Sequence, residues 1–279
     1  MKTPYFSIVI PTLNEEKCIQ KILADLQKQT YKDFEVIVVD GLSDDRTLVA
    51  AKKFEDRLPK LATIKGGKNN VSYQRNLGAK KASGKYLIFF DADVRFDRTF
   101  LEEIHIATLK KKFKLGTTWF YPDSDDSMDS IVMMAGNIGL ELAKAVNKPY
   151  AAGGANIIMD RKTFESLGGF REDLKLSEDH DLVERARKKN IDITILKEPR
   201  AIVSLRRFRA EGTLSVLRKY AQVYIYGILK GPITREIFDY PMGGHIHIKK
   251  RRKLDLTKLD TYIKGIEKLE KKINRLLEA

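Results

Sequence analysis

Tyr86-Leu87-Ile88-Phe89-Phe90-Asp91-Ala92-Asp93 is a short apolar run that stops at two carboxylates. Its aromatic and branched residues read as a buried strand. A helical stretch, Val71 to Ala82, precedes it and ends at Gly84. The same alternation repeats upstream. Phe6 to Ile10 is a β-rich run ending at Pro11, and an amphipathic helix follows to about Gln29, with Ile19, Ile22, Leu23 and Leu26 on one face. Phe34 to Val39 is a second strand, stopped by Asp40-Gly41. A helix through Thr47 to Phe54 comes next, then a weaker strand, Ala62 to Ile64. Strands separated by helices need crossover connections, so the class is α/β with a mainly parallel sheet. Ligands bind such sheets beyond the carboxyl ends of the strands. Those ends carry Pro11-Thr12-Leu13-Asn14-Glu15, Asp40-Gly41-Leu42-Ser43 and Asp91-Ala92-Asp93.

The second half is less regular. Asp123 to Asp129 reads as an acidic loop, and Ser130 to Val146 as a helix rich in small residues and Met. Ala152-Gly153-Gly154-Ala155-Asn156 opens a short strand, Ile157 to Met159. Arg161 to Leu167 is a short helix closed by Gly168-Gly169. Leu176-Ser177-Glu178-Asp179-His180-Asp181 starts another, with Ser177 as N-cap and acids in its first turn. Ile202 to Leu205 reads as a strand.

Composition sets limits. A chain of 279 residues, 43% apolar and 32% charged, supports a real core and excludes global disorder. The single cysteine, Cys18, excludes an internal disulfide and a cysteine-based zinc site. No apolar stretch reaches the length of a membrane span or a signal-peptide core. The charge is lopsided: residues 200–279 hold 19 Lys/Arg and 8 Asp/Glu, 19 − 8 = +11 of the total +14. Such a third is suited to an anionic partner: nucleic acid, lipid headgroups or a phosphorylated substrate.

Several clusters carry chemistry. Asp91 and Asp93 can share one hard cation as the chain leaves the strand, although Asp is also common in plain turns. Glu178, Asp179 and Asp181 exceed what capping needs, and a carboxylate there can take a proton from a hydroxyl. Arg75 can hold a phosphate bidentately. Arg206-Arg207-Phe208-Arg209 is either a diphosphate grip or a basic surface loop. His245 and His247 share a strand face but have no third ligand.

Leu214, Leu217, Ala221, Tyr224 and Ile228 mark an amphipathic helix with Tyr220 and Tyr226, suited to a bilayer interface or to docking on the body. Lys249 to Lys253 is polybasic. Leu259, Tyr262, Ile266, Leu269, Ile273 and Leu276 follow a short heptad pattern, leaving self-association, membrane contact and packing on the body all open.

Together these stretches resemble the family-2 glycosyltransferases of the GT-A fold. Ser7 to Glu15 is similar to that family's opening strand and nucleotide loop, and Val38 to Thr47 to its second-strand motif. Arg75-Asn76-Leu77-Gly78-Ala79 resembles its helix motif, Asp91-Ala92-Asp93 its DxD element, and Glu178-Asp179 its ED pair. Gly153-Gly154-Ala155-Asn156 resembles its sugar and acceptor loop. Gly41 departs from the pattern, which often has a second acid there. Phe208 and Arg209 stand where processive synthases would carry Arg-Trp.

The resemblance implies a Rossmann-like GT-A sheet with C-terminal amphipathic helices. It implies a nucleotide-sugar-binding unit over 1–120, an acceptor-binding unit over 121–212 and a helical extension over 213–279. The expected activity is inverting transfer of a sugar from a UDP- or GDP-sugar to an acceptor hydroxyl on a lipid-linked or membrane-proximal glycan. Expected catalytic residues are Asp179 and Glu178. Asp91 and Asp93 would hold Mg²⁺ or Mn²⁺. Donor contacts are expected from Pro11, Thr12, Leu13, Asn14, Glu15, Asp40, Ser43, Arg75, Asp91, Ala92, Asp93, Gly154, Ala155, Asn156, Arg206 and Arg209. A cytoplasmic protein, peripheral at an anionic membrane face, is expected, with no nucleic-acid partner and with oligomerisation open through the heptads. A polyprenyl-phosphate glycosyltransferase is the nearest alternative. A nucleic-acid-binding module or an inactive glycosyltransferase-like scaffold is the alternative of another class.

Overall fold

The computed structural model describes residues 3–145 and 154–244. The polybasic run, the heptads, His245 and His247 lie outside the described residues, as does Gly153.

Seven strands form one sheet: β1 (Phe6–Thr12), β2 (Phe34–Asp40), β3 (Leu61–Lys65), β4 (Tyr86–Phe90), β5 (Leu115–Pro122), β6 (Asn156–Asp160) and β7 (Ile193–Val203). Their order is β3-β2-β1-β4-β6-β5-β7. All pairings are parallel except those of β6, which runs antiparallel to β4 and β5. The order reverses between β1 and β4, which opens a crevice at their carboxyl ends, where α/β sheets take ligands.

Period-2 alternation splits the core between the two faces of the sheet. Phe6, Ile8, Ile10, Ile88 and Phe90 pack with α1 (Glu16–Gln27), α2 (Thr47–Lys52) and α4 (Phe100–Lys111). Val9, Leu87 and Phe89 pack with α3 (Val71–Lys81), α6 (Arg161–Ser166) and α7 (Glu178–Lys188). This is the expected α/β sandwich. The remaining helices are α5 (Ser127–Ala145), α8 (Arg206–Glu211) and α9 (Thr213–Lys230). Among the described residues, no helix is long and apolar enough to cross a membrane.

The structure corrects several boundaries. β1 runs through Pro11 to Thr12 rather than stopping at the proline. Thr12 accepts from Gly41 N on the β2 side. Pro11 faces the other way, where pairing with β4 has ended at Val9, so its missing N–H costs no ladder bond. The sequence pattern predicts no element between Asp93 and Asp123, yet α4 and β5 lie there. β5 hides because Thr117 and Thr118 are buried in place of apolar residues. They satisfy their hydroxyls on Asn156: Thr117 donates to its carbonyl at 2.8 Å, and its amide donates to Thr118 Oγ1 at 2.9 Å.

The acidic loop is shorter than predicted. α5 starts at Ser127, and Asp126 Oδ1 accepts from Met128 N and Asp129 N. β7 starts well before Ile202. It is an edge strand, where Glu198, Pro199 and Arg200 are tolerated. The cluster Arg206–Arg209 is helical, not a loop.

Candidate active site

Two loops, after β1 and after β2, wall one side of the crevice, and their polar groups hold each other. Asn14 sits in the left-handed region at φ 53°, and its Oδ1 accepts from Asp44 N. Its own N–H donates to Ser43 Oγ. Asp40 is buried and accepts from Thr12 Oγ1, Ser43 Oγ and Ser43 N. Asp40 Oδ1 thus joins β2 to Thr12 of β1, while Oδ2 holds the loop that follows β2. Gln74, a residue that no motif singles out, donates to Thr12 O and Val39 O and closes the back of this wall. A Cβ at Gly41 would lie 2.8 Å from Gln74 Oε1, so the departure at Gly41 makes room for Gln74.

Arg75 is the hub of the other side of the crevice. Its side chain is 2% exposed, donating to Asp91 Oδ1 and Glu178 Oε1, each at 2.8 Å, and to Gly154 O at 3.1 Å. Helix α3 thus fastens Asp91, at the end of β4, to the first turn of α7. The expectation that Arg75 grips phosphate is corrected: its charge is spent on two carboxylates inside the protein. Gly154 takes φ +66°, and a Cβ there would lie 3.1 Å from the Arg75 guanidinium and 3.7 Å from the Asp179 carboxylate. Only glycine suits both conditions.

Asp179 is buried at the first turn of α7, its Oδ1 accepting from His180 N. Ser177 holds the N-cap position in the left-handed region without a side-chain capping bond, which corrects its expected role.

Asp93 faces a second arginine. Arg206 Nε lies 3.1 Å from Asp93 Oδ2, while NH1 and NH2 embrace the buried carboxylate of Glu15. Five acids, Glu15, Asp91, Asp93, Glu178 and Asp179, thus share two arginines, 2 − 5 = −3. Desolvation pushes the Asp91 carboxyl up to about 6, against the pull of Arg75 and with the push of Asp93. Desolvation also raises Asp93 above the usual carboxylate range, opposed by Arg206, and raises Glu178, opposed by Arg75. Such crowding of partly compensated carboxylates is common where catalysis occurs.

A divalent cation fits this donor set. Among the described residues no three His, Cys, Asp or Glu side chains converge closely enough to cage a metal on their own. Asp91 and Asp93 offer hard oxygens and a surplus of negative charge. Mg²⁺ and its relatives are commonly held by one or two carboxylates, with substrate phosphates completing the shell.

Other expected contacts fall elsewhere. Asn156 is fully buried in β6, opposite Phe90, and its amide serves Thr118, so it belongs to the sheet and not to the cleft. Ala92 and Ala155 are buried beside the site as packing residues. Arg209 is drawn away from the DxD aspartates by Asp123, its NH1 2.8 Å from Oδ1, and by Asp129 at 3.4 Å. Sequence separation hid that cluster. So it did for residues 231–244, which roof the cleft. Lys175 N donates to Ile233 O, and Gly244 N donates to Leu13 O. Arg207 holds this segment, stacking 3.7 Å from the Tyr240 ring and donating to Pro241 O.

Comparison with known proteins agrees with this geometry. Over 119 residues the chain is 33% identical to the poly(ribitol-phosphate) beta-N-acetylglucosaminyltransferase TarS of Staphylococcus aureus, covering 39% of this chain and 21% of TarS. Over 94 residues it is 38% identical to a PGL/p-HBAD biosynthesis glycosyltransferase of Mycobacterium tuberculosis, covering 33% of this chain and 37% of that protein. The chain therefore matches between about a fifth and two fifths of the length of these relatives. Among solved structures, S. aureus TarS 1–349 with UDP-GlcNAc superposes with TM-score 0.59 at 22% identity, covering 72% of this chain and 58% of that one. The mannosyltransferase PcManGT of Pyrobaculum calidifontis, with GDP-Man and Mn²⁺, superposes with TM-score 0.62 at 18% identity, covering 81% and 65%. Residues 7–134 match the model of Glycosyl transferase family 2. That segment, a little under half of the chain, is similar to glycosyl transferase family 2, and the fold is of the GT-A type.

Proposed function

We propose that this chain is an inverting glycosyltransferase moving a sugar from a nucleotide-diphosphate sugar to an acceptor hydroxyl. The observation that carries the reading is the Arg75 bridge, which sets the α7 acids beside Asp91. The nucleotide would lie against the 12–15 loop and Ser43. Asp91 and Asp93 would hold Mg²⁺ or Mn²⁺, which when bound offsets the charge of the departing diphosphate. Arg206 stands at Asp93 and would steady that charge from the protein side. Asp179 would take the acceptor proton as the hydroxyl attacks the anomeric carbon from the opposite face. Glu178, held by Arg75, would fix the helix turn that presents Asp179.

A phosphate acceptor is already ionised at neutral pH and needs no base, so the α7 acids favour a hydroxyl over a bare polyprenyl phosphate. The likeness to TarS, whose structures hold UDP-GlcNAc and UDP, favours a UDP-sugar, with a GDP-sugar second on the likeness to PcManGT. The basic C-terminal third favours an acceptor at an anionic membrane face. A thermal-shift screen of UDP- and GDP-sugars with and without Mn²⁺ tests the reading, since a bound donor raises the melting temperature by mass action. No shift and no hydrolysis with any donor would remove it.

A further inference from the structure

Helix α5 has an inner face fixed by polar contacts and an outer face that is exposed among the described residues. Asn137 is buried and clasps β5, its Oδ1 accepting from Phe120 N and its Nδ2 donating to Phe120 O, both at 3.0 Å. Leu140 and Ala143 are buried on the same side. That orientation turns Ile131, Met134, Ile138 and Leu142 outward, with exposures of 60%, 46%, 48% and 61%. No charged residue occurs from Ser130 through Leu140. A contiguous exposed apolar ridge on a soluble body marks an interaction surface.

We propose that this ridge inserts into the headgroup region of an anionic lipid bilayer, together with α9. The proposal deepens, and rests on, the reading of a membrane-proximal acceptor. Charge selects the bilayer over a second copy. Each chain carries +14, so two copies repel where an anionic surface attracts. α9 has Arg218, Lys219 and Lys230 and no acid between Thr213 and Lys230. Its Leu217, Tyr220 and Leu229 are exposed at 44%, 44% and 41%. Apolar, tyrosine and basic residues on one helix are the composition of an interfacial element.

The two helices are joined through α8. Arg209 reaches Asp129 in the first turn of α5, and the Phe208 ring meets Tyr220 of α9 edge-on at 6.0 Å. Arg206 of the same short helix stands at Asp93. A bilayer held by α5 and α9 is therefore one helix away from the carboxylates, which suits a lipid-linked acceptor. The acids at the start of α5 lie at the end next to the site, away from the ridge: Asp126 caps the helix, Asp123 and Asp129 are paired with Arg209, and Asp125 is exposed ahead of the first turn.

The test is flotation of the full chain with phosphatidylcholine vesicles, with and without phosphatidylglycerol, at low and high salt. The probe is the double variant Ile131→Asp, Ile138→Asp, whose side chains are exposed and whose fold is checked by its melting curve. The wild type is expected to float with anionic vesicles. The variant is expected to lose about tenfold or more in partition at both salt concentrations, because its loss is apolar. Ile138→Trp is expected to shift its fluorescence to the blue with vesicles and to be quenched by brominated lipid. Wild type that fails to float, or a double variant that floats equally well, overturns the proposal. A wild-type dimer that the variant breaks, with flotation unchanged, assigns the ridge to a second copy instead. UDP and GDP binding, measured on the same samples, separates the outcomes: binding of either nucleotide with no flotation sinks this inference alone, whereas wild type that binds neither sinks the enzymatic reading.

Discussion

Arg206 lies 3.1 Å from Asp93 while its other nitrogens hold Glu15, so one guanidinium compensates two desolvated carboxylates. It occupies ground that a cation bound at Asp93 would share. Removing it leaves Glu15 and Asp93 without their counter-charge. Arg206→Ala is therefore expected to bind Mn²⁺ alone several-fold more tightly, while turnover falls for want of a diphosphate partner. Electron paramagnetic resonance titration of free Mn²⁺ measures the first effect; equal affinities would contradict the shared-charge picture.

Arg75 is buried with Asp91 and Glu178 attached. Burial opposes its charge, but the two carboxylates outweigh burial and raise its pKa further. Truncating one member of such a group strands the others. Arg75→Met is expected to cost about 3–5 kcal/mol of stability, and adding Glu178→Gln should recover part of it. Denaturant melts of the single and double variants check this. Simple additivity would show that the bridge does not couple them.

Arg75 holds Asp91 through one nitrogen and Glu178, the neighbour of Asp179, through another, and the roles of Asp91 and Asp179 separate by assay. Asp179→Asn should reduce transfer by several orders of magnitude and leave the affinity for UDP-sugar with Mn²⁺ near wild type. Asp91→Asn should weaken donor binding itself. Calorimetry beside a transfer assay distinguishes them. Lost donor binding in Asp179→Asn would move that residue to the donor side.

Glu35 gives a pH-dependent prediction away from the site. Burial opposes its ionisation, but bonds from Lys60, Ser83 and Ser7 win and hold its carboxyl at about 2. A depressed carboxylate stabilises the fold above its unfolded value, and that contribution fades as pH falls toward the folded value. The gap between the folded and unfolded values corresponds to roughly 3 kcal/mol. Glu35→Gln should therefore lose stability at neutral pH, with the difference from wild type shrinking from about pH 4.5 down to about pH 2. A stability gap independent of pH in that range would show that packing, not charge, is what Glu35 supplies.

The alternation of strand and helix was readable because periodicity is a local property. Tyr86–Phe90 and Val71–Lys81 stand where their residues predict. The rim also followed, because Thr12, Asp40 and Asp91 lie at the carboxyl ends of strands that crossovers force to be parallel. β5 was not readable, because Thr117 and Thr118 look like surface residues until Asn156 satisfies them. The segment from Ile233 to Gly244 was not readable as a roof, because its partners Lys175 and Leu13 lie far away in sequence.

Sequence by itself determined which residue types are present at which strand ends, and so the chemistry available: carboxylates for a cation and for a proton. Tertiary structure alone decided how their charges are divided. Arg75, Arg206 and Arg209 all looked fit to hold phosphate, yet each is engaged by two carboxylates of its own chain, and of the three only Arg206 is paired with Asp93. The physical reason is that a guanidinium binds whichever carboxylate the fold brings within about 3 Å, and that distance is set by long-range packing rather than by neighbours in the chain.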